Sequence, residues 1–516
     1  MSELSRQGFL TECEREQLHH AQAIQPNGAL LGGMTGDSRL RFASVNLADW
    51  IGYPAEAALG RSLVELLPDF PPSTDIPADA WMHPATGKRL YPDLCSGPRG
   101  SLDGLLSCNG RNWLLELETA LPASQQREAY RPVTHRLYRM PYTETDWTRY
   151  CQYLADELRV ASGFERVMIY RFRDDGCGEV ISESLIDGLA PYLGLRYPAS
   201  DIPQIARQIY LSNRHRQIAD AEAIPVPILA DEGVLADLTL SDLRAVSPVH
   251  LDYLKNMGVT ASLSFSLVLK ERLWGLIACH HRLPRALPLP VRERCADLAQ
   301  VFTLAISGYQ STRSLLDIGQ SDDAIARLID ALHQTDLRRR RGMGHAEDTD
   351  PMLGEALLAM VGATGAALVE DRSIVSFGIT PDRAAIRAQV DWLQRQVSAP
   401  IFATHALSLV FPPAAACADC ASGLLAVRVG RFAETNERAF LWWRPEQPQA
   451  VYWAGDPRKT NLFDPQRQIL SPRSSFERWI ETSSSHSEPW SNADLLCARK
   501  FRSLVLHDIY AEILRR

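Results

Sequence analysis

No uninterrupted apolar stretch approaches the roughly 18 residues that a membrane span needs, so no bilayer-crossing helix is expected. The N-terminus, Met1 to Leu10, lacks a basic region followed by an apolar core. No secretory leader is therefore expected, and a cytoplasmic location is the expectation. An excess of basic charge is also missing: 54 Lys and Arg stand against 62 Asp and Glu, a net charge of −8. This argues against a general nucleic-acid binder. Clustered cysteines are absent, the ten present being scattered over 516 residues, unlike a secreted disulfide scaffold. Only Cys417 and Cys420 are close together, and a lone C-x-x-C has no second ligand pair at zinc spacing, so two incidental thiols in a loop are expected. There is no internal repeat and no low-complexity tract.

What is present is ordinary globular composition, 46% hydrophobic and 22% charged, over a length suited to three or four domains. The first 120 or so residues read as a small mixed α/β unit. It has strands near Ala29–Gly33, Leu40–Phe42 and Asn112–Glu118, and a short helix over Ser44–Ile51 stopped by Gly52-Tyr53-Pro54. A second unit begins with an amphipathic helix over Tyr150–Ala161 and a strand over Arg166–Phe172. It continues to a hairpin, Ser262–Leu269 with Leu273–His280, around the charged turn Lys270-Glu271-Arg272. Helical periodicity then runs from Val291 to Arg341, long enough for a connecting helix able to pair with its copy in a dimer. The run Arg338–Arg341 suits a solvated helix end complementing the helix dipole. A third α/β unit carries strands at Ala366–Glu370, Leu424–Val429, Phe440–Trp443 and Val451–Trp453. The stretch Arg444–Trp490 is too long for an ordinary connection, and such a segment is functional or disordered. A helix over Asp494–Arg516 closes the chain, with Phe501, Val505, Ile509 and Ile513 four apart.

Three segments carry chemistry. In Pro198-Ala199-Ser200-Asp201-Ile202-Pro203, prolines at both ends stiffen the backbone around Asp201. A carboxylate on a rigid loop needs partners; the plainer role is a cap, with Ser200 or Asp201 starting a helix over Gln204–Leu211. In Ser247–Leu254, Ser247-Pro248 opens a helix that puts His250 and Tyr253 on one face. In Trp274–His281, an apolar strand ends in two histidines, one on each face. A metal site lacks carboxylates at ligand spacing, so one inward histidine hydrogen-bonding a ligand is the better reading.

Together these three segments resemble the chromophore-binding GAF domain of phytochromes. Cys13–His19 followed by Ile24-Gln25-Pro26-Asn27-Gly28 resembles the N-terminal segment and PAS entry of the bacterial members, and Pro472–Phe476 resembles the tongue of their PHY domain. The similarity covers nearly the whole chain in PAS–GAF–PHY order, and five motifs in sequence are highly specific. The resemblance implies α/β (α+β) sensor domains in tandem, joined by a long helical spine. Residues 1–20 would be an extension with the attachment cysteine, 21–120 the PAS domain, 135–308 the GAF domain and 309–345 the connecting helix. Residues 346–516 would form the PHY domain, with its tongue at about 444–490. It further implies a figure-of-eight knot between the N-terminal segment and a GAF loop, with Ile24 at the crossing.

The cofactor so implied is biliverdin, a linear tetrapyrrole, attached as a thioether to Cys13. Plant-type members place a cysteine directly before the GAF histidine, and here that position is Val249, which cannot form one. By resemblance Arg216 and Arg244 hold the propionates with Ser262 and Ser264 helping. Asp201 and His250 flank the pyrrole nitrogens, Ile202 and Pro203 belong to the same wall, and Ile24 is a further cofactor-binding residue. Tyr170, Tyr197 and Tyr253 line the D-ring, and His280 hydrogen-bonds its carbonyl. Light isomerises the bond between rings C and D, and Arg473 of the tongue, near Trp453 and Ser475, pairs with Asp201 in one state. Asn27 and the Trp453-Ala454-Gly455 run depart from the common pattern, the latter where Trp-Gly-Gly is usual. The chain reaches Arg516 without a phospho-acceptor helix or nucleotide-binding region, so no enzyme activity of its own is expected. A homodimer and a downstream output or response-regulator partner are expected, with no nucleic acid or membrane. The alternatives are the photosensory part of a light-regulated histidine kinase and a GAF/PAS sensor of another small ligand.

Overall fold

The computed structural model describes residues 17–68, 70, 87–129, 132–341, 350–370, 373–429, 438–457, 462–464, 469–471 and 475–515. These form two compact units. One holds the residues up to Tyr309 together with Tyr452–Trp479, the other Gln310–Val451 with the residues from Ile480 on.

The first unit contains two sheets. In the seven-stranded sheet the order is Ala23–Ile24, Val226–Ala230, Phe42–Ser44, Ala29–Met34, Asn112–Thr119, Gly100–Cys108, Lys88–Gly97. Its core is Leu31, Trp50, Leu63, Leu106, Trp113 and Leu115. Val226–Ala230 enters this sheet from far along the chain, pairing with Ala23–Ile24 on one side and Phe42–Ser44 on the other. Ile24 also bridges to Arg244, so it lies between two arms of the 226–244 segment. Gly28 is needed at this junction: a Cβ there would sit 2.4 Å from Leu243 Cδ1 and 2.8 Å from the Leu117 carbonyl.

The second sheet begins His215–Ile218, Ala261–Leu269, Arg272–His281, Arg166–Phe172, Gly178–Leu185, Arg196–Tyr197. It packs one face on the helix Glu144–Ser162 and on the start of the helix Leu289–Arg340, burying Leu154, Leu158, Phe265, Ile277, Leu298 and Phe302. The helix Glu144–Ser162 starts with a capping box from Thr143 and Asp146 and stops at Gly163 in left-handed conformation. Trp147 stacks on Tyr309 with centroids 5.0 Å apart. Trp453 continues the sheet beyond Arg196, pairing with it in parallel.

The second unit is a five-stranded antiparallel sheet in the order Ser373–Gly378, Gly365–Glu370, Arg438–Arg444, Gly423–Val429, Ile401–Thr404. Both faces are covered. Trp442 points to one, donating to the Leu357 carbonyl, and Trp443 to the other, donating to Gln389. The helix Asn492–Arg515 buries Cys497, Phe501 and Val505 against the Trp442 face.

Most expected elements appear within a residue or two. Leu40–Phe42 is corrected: the strand is Phe42–Ser44, because Leu40 instead bonds across to Arg61 and Gly60. The following helix is only Leu47–Ile51. Arg444–Trp490 is not a plain loop but carries strands at Gln449–Ala454, Leu462–Asp464, Ile469–Ser471 and Arg478–Ser483. The thiols of Cys417 and Cys420 each contact a backbone carbonyl and are free. Among the described residues no group of three His, Cys, Asp or Glu could hold a metal, and no helix is long and apolar enough to cross a membrane.

The hairpin turn supplies a stability test. Lys270 and Glu271 both have positive φ, 51° and 61°, the conformation that Asn-Gly adopts readily and side-chain-bearing residues adopt at a cost. Replacing the pair, Lys270→Asn with Glu271→Gly, should raise stability by about 0.5–1 kcal/mol in urea unfolding. Loss of stability contradicts this account of the turn.

Candidate functional site

A cavity of about 230 Å³ opens within the first unit, on the face of the second sheet opposite the Leu154–Phe302 core. Strand alternation builds one wall. Ser262, Ser264, Ala278 and His280 project into it, whereas their neighbours Leu263, Phe265 and Cys279 fill the core. His281 turns the other way, its Nδ1 lying 3.0 Å from the Leu283 carbonyl. The two histidines thus do occupy opposite faces.

A second wall is the 198–212 segment. Pro203, not Ser200 or Asp201, precedes the helix Gln204–Ser212, and no side chain caps it. The capping role proposed for Ser200 or Asp201 is therefore corrected. Asp201 Oδ2 accepts from the Tyr253 hydroxyl at 2.9 Å. Arg207 pins the loop from outside, donating to the carbonyls of Ile202, Ala199 and Gly176 at 2.8, 3.2 and 2.8 Å. None of the helix residues is fully buried, because its apolar face, Ile205, Ile209 and Tyr210, looks into the cavity.

The third wall is the helix Pro248–Asn256. Pro248 starts it, and His250 and Tyr253 stack on one face with rings 6.0 Å apart and 12° from parallel. Phe476 meets Tyr253 edge-on at 5.0 Å. Val249, Tyr170 and Tyr197 complete the apolar lining with Met168, Val180 and Leu276.

The polar floor comes from Arg216 and Arg244. Arg216 donates to the carbonyls of Asp242, Arg244 and Ala245 at 3.0, 2.5 and 3.2 Å. Burial pulls its pKa down. Burial and the neighbouring Arg216 charge pull Arg244 down to about 9. Arg244 Nη1 is buried with no hydrogen-bond partner, and so is His280 Nδ1. Two close guanidiniums, one with an unanswered N–H, form a donor set suited to an anion. Burial also holds the imidazoles in their neutral form, His250 at about 4 and His280 at about 3, with Arg216 adding to the first and Arg166 to the second.

Of the residues singled out in the sequence, Tyr170, Tyr197, Asp201, Ile202, Pro203, Arg216, Arg244, His250, Tyr253, Ser262, Ser264 and His280 all line this one cavity. Ile24 does not. It packs with Leu30, Phe42 and Leu243, because its strand sits in the other sheet. Trp453 lies in the second sheet beside Arg196, and the Ser475 hydroxyl accepts weakly from the Glu477 N–H at 3.5 Å. Cys13 and Arg473 lie outside the described residues. Leu18, Ile205, Ile209 and Tyr210 were missed. The i, i+4 pair Ile205 and Ile209 on a short helix directly after the Asp201 loop was the available signal.

Three family models match the chain in order: PAS fold over residues 13–74, GAF domain over 146–308, and phytochrome region over 337–513. A bacteriophytochrome of Xanthomonas campestris pv. campestris is 35% identical over 514 residues, covering 96% of this chain and 78% of that protein. Cyanobacterial phytochrome B of Nostoc is 33% identical, and the chain spans 66% of its length. The crystal structure of a bacteriophytochrome from the photosynthetic bacterium R. palustris matches with TM-score 0.78 and 31% identity, over 97% of this chain and 99% of that one. The photosensory core module of the Stigmatella aurantiaca phytochrome matches with TM-score 0.74 and 30% identity, over 97% and 98%. The chain belongs to the phytochrome photoreceptor family, with bacteriophytochromes among its relatives and its PAS, GAF and PHY domains in tandem.

The neutral histidines predict a pH response of the ligand-free protein. In the unfolded chain they titrate near 6.5, so below that pH the unfolded state binds more protons and stability falls as pH drops toward 4. The loss should be on the order of 1–2 kcal/mol per histidine. Thermal unfolding at pH 7 and pH 5 checks it, and His250→Gln should shrink the difference. An unchanged difference contradicts the assignment of His250 as a buried neutral base.

Proposed function

We propose that the chain is a red/far-red photoreceptor module that binds biliverdin through a thioether at Cys13. The observation that carries this reading is the arginine pair, with the unpartnered Nη1 of Arg244, at the floor of a largely apolar cavity. A dianionic conjugated ligand fits that donor set, since guanidinium binds carboxylate bidentately and stays charged when buried. Val249 lines the cavity without a thiol, which favours Cys13 for attachment. When bound, the bilin supplies light absorption and isomerisation between rings C and D.

The chain's own residues do the rest. Arg216 and Arg244, with Ser262 and Ser264, hold the two carboxylates. Asp201, fixed by Tyr253, and neutral His250 offer acceptors to the pyrrole N–H groups. His280 answers the D-ring carbonyl with its unpartnered nitrogen, between Tyr170 and Tyr197. Arg473 pairs with Asp201 in one of two states, and exchange of that pair biases the tongue. Phe476, three residues further on, already touches Tyr253, which supports this placement. The N-terminal segment threads the 226–244 arm at Ile24, supported by its pairing on both sides. We further propose a cytoplasmic homodimer along the helix Leu289–Arg340, where Leu315 and Leu316 are exposed. It acts on an output module or partner and has no catalysis of its own.

Incubation with biliverdin followed by denaturing chromatography tests the attachment. Wild type should retain pigment covalently on the Cys13 peptide, and Cys13→Ala should release it while still binding. Failure of wild type to bind any bilin contradicts the reading and leaves a sensor of another small ligand.

A further inference from the structure

On the helix Gln204–Ser212, Ile205 and Ile209 face the cavity. Arg207 lies two residues from each, which turns it roughly 200° around the helix axis. It is not among the cavity-lining residues. Its position is unfavourable on local grounds. It is the fourth residue of the helix, where the dipole disfavours a cation. It is half-buried, and among the described residues its hydrogen bonds go to carbonyls rather than to a carboxylate. Burial pulls its pKa down, and the groups opposing that are Tyr170 and Cys177, not an acid. A charge kept against such local costs marks a site where geometry is needed.

The three carbonyls belong to two separate segments. Arg207 Nε donates to Ile202 at 2.8 Å and Nη2 to Ala199 at 3.2 Å, one anchor on each side of Asp201. Nη2 also donates at 2.8 Å to Gly176, in the turn between the strands Arg166–Phe172 and Gly178–Leu185. The Asp201 loop and that turn are thereby clamped together by a single planar group.

The same guanidinium reaches the aromatic wall. It lies over the Phe172 ring, 4.3 Å from its centroid. Phe172 meets Tyr170 edge-on at 5.4 Å, and Tyr170 in turn lies 5.7 Å from Tyr197. The Tyr170 ring rests on Gly178, where a Cβ would come within 1.7 Å of its Cζ. Gly178 is paired in register with Tyr197. Arg207 therefore ties the backbone around Asp201 to the two tyrosines that line the cavity, from outside both.

We propose that Arg207 is a positioning residue, whose guanidinium sets the spacing between the Asp201 loop and the Tyr170–Tyr197 wall so that Asp201 keeps the pyrrole protons of the ligand in place. This rests on the reading of the cavity as a bilin site. Three carbonyls in different directions call for a planar fork with several donors, and an ammonium on a flexible stem supplies charge without that geometry. A proton facing a well-placed acceptor is harder to remove, so a looser loop lowers the pH at which the bound pigment deprotonates.

Two experiments separate this role from the function it rests on. In the ligand-free protein, hydrogen exchange followed by mass spectrometry reads the amides of Gly176 and Asp201, which are bonded to the Arg173 and Pro198 carbonyls. Arg207→Lys and Arg207→Met should each speed exchange in these two segments about tenfold and leave the helix Glu144–Ser162 unchanged. Unchanged exchange overturns the proposal whether or not bilin binds. In the biliverdin-loaded protein, the absorption spectrum is titrated with base. Both variants should lower the deprotonation midpoint by about one pH unit. In the Cys13→Ala background, where binding is reversible, both should bind biliverdin within about twofold of the Arg207 protein, because the arginine floor is elsewhere. An unmoved midpoint overturns the proposal. So does a wild-type midpoint in Arg207→Lys, which would show that charge alone suffices. A large loss of affinity in both variants marks a merely structural role and overturns it as well. Arg207→Lys serves if Arg207→Met does not fold. Absence of bilin from wild type overturns the reading of the cavity, whereas unchanged exchange with bilin bound overturns the role of Arg207 alone.

Discussion

The Glu116 carboxylate is the constraint on which the polar half of the pocket depends. It lies in a strand of the seven-stranded sheet, yet it grips Ser241, Asp242 and Leu243, which belong to the loop carrying Arg244. That grip, together with the backbone bonds of Gln25 to Leu243 and of Ala245 to Ala23, sets the carbonyls of Asp242, Arg244 and Ala245 that accept from Arg216. Gln25 adds to it from the N-terminal segment, donating to the Gln217 carbonyl and accepting from the Ala219 N–H. Two domains distant in sequence are thereby joined at the point where the floor of the cavity is set. Charged groups are expensive to bury, and the Glu116 carboxylate is answered by three donors.

The pocket illustrates how conflict between local and global preference marks a functional site. A hydrophobic cavity wall next to paired guanidiniums stabilises nothing by itself. Burial lowers the arginine pKa values and strips protons from His250 and His280, all unfavourable relative to water. Such costs persist where a ligand repays them, and a flat dianion with N–H donors and a terminal carbonyl answers each group.

Much of this was legible in the sequence. Rigid Pro198–Pro203, the Ser247-Pro248 helix start and the alternating Trp274–His281 strand each encode their geometry locally, so Asp201, His250 and His280 converge as expected. The helix over Val291–Arg341 was legible because its periodicity is long. Other features were hidden because they rest on contacts between distant segments. Val226–Ala230 crosses into the first sheet, a pairing that nothing local announces. Ile24 looked like a pocket residue and proved to be core, since strand membership decided its direction. Glu116, Asp242 and His215 come together only through the fold, from segments far apart in the chain. Of the strands inside Arg444–Trp490, Leu462–Asp464 and Ile469–Ser471 pair with each other and Trp453 pairs with Arg196, contacts that no local pattern announces.

The central claim is that this cavity holds a bilin which light switches between two forms. The direct measurement is the absorption spectrum of the biliverdin-loaded protein, recorded in the dark and after alternate red and far-red illumination. The account predicts two bands that interconvert reversibly through repeated cycles. A single band indifferent to either light, in a protein shown to have the pigment bound, contradicts it.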